Sequence, residues 1–285
     1  MSTWIFRRQL QNFEKEWTYS GRSRYSQHMI GFLLRKTFYD LWDNLFRLVL
    51  LNLGFIASLA IPIGGAFLLS GIPVLSACVF VIGIFWCFVY LSASAGVLKT
   101  ISDYGLFGFG DFLAALKDSW LSGLILGALV VAAIFLASVI LPFYFAMGSF
   151  LGVFAAALVF WTLVVAFLSF QYYLPLRARL ERDPRKVIKK CFIMFFDNPG
   201  LSFFAAVHNV VILILSFFLA LLIPGPAGIL LFLDEALRLR LLKYDYLEAN
   251  PGADRRKIPW DELLAEDRET TGTRTLRGLI FPWKD

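Results

Sequence analysis

The sequence predicts an all-α fold: a polytopic membrane bundle of six spans in three hairpins, with short amphipathic helices along its cytoplasmic face. Three observations carry that prediction. Hydrophobic residues make up 59% of the 285 and charged residues 17%, with a mean hydropathy of +0.69, whereas a soluble domain is about a quarter charged. Residues 48–98 and 200–233 hold no ionised side chain, and each run exceeds the roughly 20 residues that carry a helix across about 30 Å of hydrocarbon. The alternation of apolar and polar positions that marks a membrane barrel is missing.

In chain order, residues 1–47 form a charged, aromatic segment with no cleavable signal pattern, so insertion is expected through the first span. Within it Ile30, Leu33, Leu34, Phe38, Leu41 and Leu45 make a helical stripe, with Asp43 and Arg47 placed to pair on the polar side. Spans are expected at 48–69, 73–97, 120–141, 145–173, 201–223 and 226–243. Short uncharged turns at Ser70-Gly71-Ile72-Pro73, Leu141-Pro142 and Ile223-Pro224-Gly225-Pro226 join them in pairs. The membrane region is therefore 48–245, and 246–285 is a tail.

Orientation follows from the cations. Eight of the 27 Lys and Arg lie in 1–47, two in 98–119, seven in 176–200 and ten from 238 onward, all on one side of a six-span chain. The positive-inside rule makes that side the cytoplasm, with both termini there and the hairpin turns outside. The net charge of +6 then reads as orientation and attraction to anionic lipid, and no nucleic-acid partner is expected. The sixth span is the costly one, because Asp234 and Glu235 follow Pro226 closely and Arg238 and Arg240 come next. Pairing of Asp234 with Arg238 at i,i+4 is expected to reduce that cost.

Two charged connections keep helical periodicity. Phe109, Phe112, Leu113, Leu116 and Trp120 share one face, and Ile188, Cys191, Phe192 and Phe195 share another, behind an Asp183 N-cap and Pro184. Phe109, Phe112, Leu116, Ile188, Phe192 and Phe195 are the candidate docking face at the cytoplasmic surface; the same helices could serve only to seal the bundle against headgroups. Gly123-x3-Gly127 and Gly148-x3-Gly152 allow close helix approach, inside the bundle or at a homodimer seam. In the tail, Arg255-Arg256-Lys257, an acidic stretch Asp261 to Glu269 and Leu276 to Trp283 read as a linker that folds back on its own protein or meets a partner.

His208 and Asn209 in the fifth span are expected to meet Asp234, Glu235 and Arg238 of the sixth in one buried polar cluster, either structural or solute-handling. Asn52 and Gln171 are expected to be hydrogen-bonded near the cytoplasmic ends of their spans.

Leu41-Trp42-Asp43-Asn44 leading to Asn52, and Tyr172-Tyr173-Leu174-Pro175-Leu176-Arg177-Ala178-Arg179 followed by the basic Lys186 to Lys190 helix, resemble the YesL-like family of bacterial integral membrane proteins over roughly residues 35–245. The resemblance implies an accessory role beside ABC transporters for carbohydrate uptake, with a transporter subunit as partner, and it supplies no catalytic residues. The sequence departs from it in the long N-terminal segment, in the tail, and at Ile63-Gly64-Gly65-Ala66, where members carry another proline.

No Gly-x4-Gly-Lys-Ser/Thr loop is present, and the glycines at 105, 108 and 110 have the wrong spacing for a dinucleotide. With two histidines and three scattered cysteines (Cys78, Cys87, Cys191, read as apolar fillers), no metal site, disulfide or cofactor is expected. The expectation is a non-enzymatic membrane accessory or scaffold; the alternative is a small-solute transporter or channel using the polar cluster.

Overall fold

The structure, a computed structural model, describes residues 29–254 and 258–271. The expectations for Arg255-Arg256-Lys257 and for Leu276 to Trp283 lie outside the described residues. The chain divides into two compact units, one of residues 40–237 and one that combines 1–39 with 238–285.

In the larger unit α2 (Leu45–Ala60) continues through a π-turn (Ile61–Gly65) into α3 (Ala66–Leu68), then reverses into α4 (Pro73–Ser102). The π-turn has a cause in the sequence. Pro62 has no N–H for the i−4 carbonyl and its ring crowds that carbonyl, so the helix widens by one residue to pass it. Gly83 of α4 lies against the Pro62 backbone, where a Cβ would stand 2.7 Å from the proline nitrogen.

Helix α5 (Phe109–Phe135) runs through a second π-turn (Leu136–Ile140) into α6 (Leu141–Ala146), and α7 (Phe150–Phe170) returns. Two expectations are corrected here. The amphipathic stretch at 109–116 and the third span are one continuous helix, because no breaker separates them. The turn falls at Met147-Gly148-Ser149 instead of Leu141-Pro142: the π-turn absorbs Pro142, while Gly148 adopts φ +61° and Ser149 caps α7 through the Gly152 N–H. Gly123 packs on the α4 backbone at Val89, so that glycine serves contact inside the bundle.

A short α8 (Tyr173–Arg179) and the amphipathic α9 (Pro184–Asp197) follow, then α10 (Pro199–Phe218) and α11 (Gly225–Ala249). Five helical stretches are long and apolar enough to cross a membrane: Leu45–Leu68, Pro73–Ser102, Phe109–Ala146, Phe150–Arg179 and Pro199–Phe218. The chain is therefore a multi-pass membrane protein, and the sixth span at 226–243 is not among them. Its charged second half is the reason, and its first half is an interior helix in which Leu231, Phe232, Leu233, Ala236 and Leu237 are buried.

Helix α1, over 29–43, buries Met29, Phe32, Leu33, Lys36, Thr37 and Tyr39, whereas Leu34 and Phe38 are exposed. The buried face is thus rotated by one position from the expected stripe. Arg47 donates to Asn44 Oδ1 at 3.2 Å and not, as expected, to Asp43. In the smaller unit part of the tail forms α12 (Trp260–Leu263) and α13 (Ala265–Thr271), and Arg238 grips Asp267 with both terminal nitrogens at 3.0 and 2.9 Å.

Candidate functional site

The polar chemistry of the larger unit gathers where α4 ends, α5 begins and α8 packs between them. Arg177 and Arg179 stand two apart on α8, so they leave the helix on nearly opposite sides. Arg177 donates from Nε to Ser122 Oγ (3.0 Å) and from Nη2 to the Asp118 carbonyl (2.7 Å) and carboxylate (3.0 Å). Arg179 makes a fork on Asp234, Nε to Oδ1 at 2.8 Å and Nη2 to Oδ2 at 2.6 Å, and reaches Asp103 with Nη1 at 3.0 Å. One guanidinium therefore ties α8 to the end of α4 and to the middle of α11. The side chain of Asp234 is 3% exposed and that of Arg179 11%; a buried carboxylate is tolerated when a bidentate guanidinium meets it.

Two hollows open beside this network. An apolar cleft of about 660 Å³ lies between the start of α2 and the start of α5, walled by Phe46, Leu50, Phe109 and Phe112 and floored by Tyr90, with Asp43, Asn44 and Arg47 at its rim. A smaller pocket of about 320 Å³ is lined by Lys99, Asp118, Ser119, Arg177 and Arg182 over small residues including Gly96 and Ala115.

Comparison with family models, curated proteins and solved structures finds no match for this chain.

The expected polar cluster is distributed over three sets of partners. His208 stacks on Phe232 with ring centroids 3.8 Å apart, and its Nδ1 is 3.4 Å from Asn209 Oδ1. Asp234 takes Arg179 where Arg238 was expected, and Arg238 takes Asp267. Glu235 is buried on α11. The Arg179 guanidinium reaches Asp234 from another helix as a two-bond fork, which satisfies both carboxylate oxygens.

Of the expected docking face, Phe109 is 77% exposed at the lip of the cleft. Phe112 lies inward against Tyr90, ring centroids 5.2 Å apart. Leu116 and Ile188 are half-buried, Phe192 stands edge-on to Phe170 at 5.5 Å, and Phe195 packs on Phe196. On α9 the fully buried positions are Val187, Cys191 and Met194. Burial pushes the Cys191 thiol up to about 12. On the connection before α9, the backbone N–H of Asp183 holds the Glu181 carboxyl below its usual range, helped by Lys186 and Lys190. Among the described residues no group of three His, Cys, Asp or Glu is placed to hold a metal.

Arg179, Asp103, Lys99 and Asp118 were not singled out as site residues from sequence. Their signal was present: charges standing at the junctions between apolar runs, where one acid and one base on different helices are within reach after folding.

Proposed function

We propose that this chain is a non-enzymatic membrane accessory or scaffold protein, whose apolar cleft beside Tyr90 receives an apolar segment of a partner membrane subunit. The cleft carries the reading: Phe46, Leu50, Phe109 and Phe112 leave a large apolar hollow at one end of two spanning helices, rimmed by Asp43, Asn44 and Arg47, which give the entering segment polar anchors. The resemblance to YesL-like proteins points to an ABC transporter for carbohydrate as the source of that subunit. Transport by the chain itself would need polar groups gathered along one path, and the separate partners of His208, Asp234 and Arg238 weigh against it. A photo-crosslinking amino acid at position 109, irradiated in native membranes, tests the reading. Adducts with a transporter membrane subunit support it, and adducts with lipid alone contradict it.

The topology that goes with this reading places both termini in the cytoplasm. Five crossings would leave the ten cations from Arg238 onward outside, against the positive-inside rule. The last hairpin resolves the conflict if it enters and leaves through the same face. Its turn is held by Asn52, which donates to the carbonyls of Leu222 (2.8 Å) and Pro224 (2.9 Å) and accepts from the N–H of Ala227 (2.9 Å). Asn52 lies 16 residues before Leu68, about 24 Å of helix at ~1.5 Å per residue, out of roughly 30 Å of hydrocarbon. The turn thus stops well short of the far surface. Its side chains fit lipid: Phe217 and Phe218 are 76% and 79% exposed. Its backbone fits too, because irregular chain at membrane depth must be satisfied internally, as Asn52 and the Gly225 N–H to Ser216 Oγ bond achieve. In this topology α2–α3, α4, α5–α6 and α7 cross, and α10 with α11 forms a re-entrant hairpin.

A further inference from the structure

The smaller pocket carries more positive charge than its walls neutralise. Lys99, Arg177 and Arg182 line it against a single carboxylate, Asp118. That carboxylate is already engaged by Arg177 at 3.0 Å, with Arg182 at 3.7 Å on its other oxygen. The half-buried Lys99 ammonium donates to the Ala178 carbonyl at 3.0 Å and shares the field of the Asp118 carboxylate with the two arginines. Three cations that share one carboxylate leave half-buried positive charge unbalanced, and an anion relieves it. Gly96, Ala114, Ala115 and Ala178 keep the floor low, so the hollow stays open between the cations. Ser119, itself buried, borders the same space, and its hydroxyl has no hydrogen-bond partner among the described residues.

We propose that this pocket binds a phosphate-bearing anion, with Lys99 as a point charge, the Arg182 guanidinium closing over the top and Arg177 as the fixed wall. Lysine and arginine divide phosphate recognition in this way, one by charge and the other by its planar fork. Basic pockets between helices at the cytoplasmic side of a membrane are where phospholipid headgroups are held. The phosphate could equally belong to a soluble phosphorylated compound, and the test separates the two sources.

The full-length protein, purified in a neutral detergent, is titrated with dihexanoyl phosphatidic acid, with dihexanoyl phosphatidylcholine and with inorganic phosphate, following thermal unfolding. A rise in Tm with phosphatidic acid but not with phosphatidylcholine assigns the site to an anionic headgroup. An equal rise with inorganic phosphate alone assigns it to a free phosphate. In either case R182Q and K99Q should each weaken the apparent affinity on the order of tenfold, and K186Q, on α9 away from the pocket, should leave it unchanged. Arg182 is 82% exposed in its side chain, so R182Q tests binding without threatening the fold. No shift with either anion, or an equal loss in K186Q and R182Q, overturns the proposal.

Discussion

The first and last hairpins of the larger unit solve the same problem by different means. The α2–α4 hairpin is matched along its whole length: Tyr90 donates to the Leu51 carbonyl at 2.9 Å, Trp86 to Ser58 at 3.2 Å, and Ser76 to the Ala66 carbonyl at 2.8 Å beside the turn. Each bond is a small addition to helix packing. The α10–α11 hairpin instead depends on polar fasteners at separate points: Gln171 donating to the Ser202 carbonyl at 2.9 Å, Asn52 at its turn and Arg179 at Asp234. A helix pair that crosses fully can rely on contact repeated over many turns. One whose turn is irregular and whose second helix carries charge needs those groups satisfied at single points.

Removing those fasteners should hurt the last hairpin most. Arg179→Ala leaves Asp234 buried without its bidentate partner, and a loss of roughly 3–5 kcal/mol is expected, read as a large fall in Tm of the detergent-purified protein. Asn52→Leu leaves carbonyls and an N–H of the turn unpaired, at about 1–3 kcal/mol for each group left buried; Gly225→Ala should act in the same direction, because Gly225 has φ +63° and its Cβ would run into Asn52. Tyr90→Phe, in the first hairpin, should cost only ~0.5–1.5 kcal/mol, since one bond of several is lost. If Tyr90→Phe proved as damaging as Arg179→Ala, the contrast between the two hairpins would collapse.

The smallest effect expected near neutral pH concerns Cys191. Its thiol is pushed up to about 12 from an ordinary value of 9.0, so the folded protein keeps the proton longer than the unfolded chain does. The stabilisation is complete below about pH 9 and is lost as pH rises toward 12. A small thiol reagent at pH 8 should leave Cys191 unmodified until denaturant is added, and rapid labelling of the native protein would contradict its burial.

The membrane class and the helix-breaking turn after residue 69 were legible in the sequence, because composition, charge-free length and the Gly-Ile-Pro break decide them. What was not legible depended on distance along the chain. Pro142 reads as a turn, yet a π-turn just ahead of it, at Leu136–Ile140, carries the helix past it. Asp234 and Arg238 at i,i+4 look like a pair, but Arg179, 55 residues away, offers a better geometry to the carboxylate. On α1 the apolar stripe and the buried face differ by one position, because Lys36 and Thr37 are buried while Leu34 and Phe38 are exposed. Asn52 was expected to be hydrogen-bonded; that its partners are 170 and more residues distant was not readable.

The depth of the last turn is the most direct test of the topology. In a variant whose three native cysteines are replaced by serine, a single cysteine at Ala220 is compared with one at Ser149, in the α6–α7 turn, using a membrane-impermeant maleimide on sealed cells. The re-entrant hairpin predicts labelling of position 149 and none of position 220. Equal labelling of both from outside would make α10 a full crossing and contradict the account.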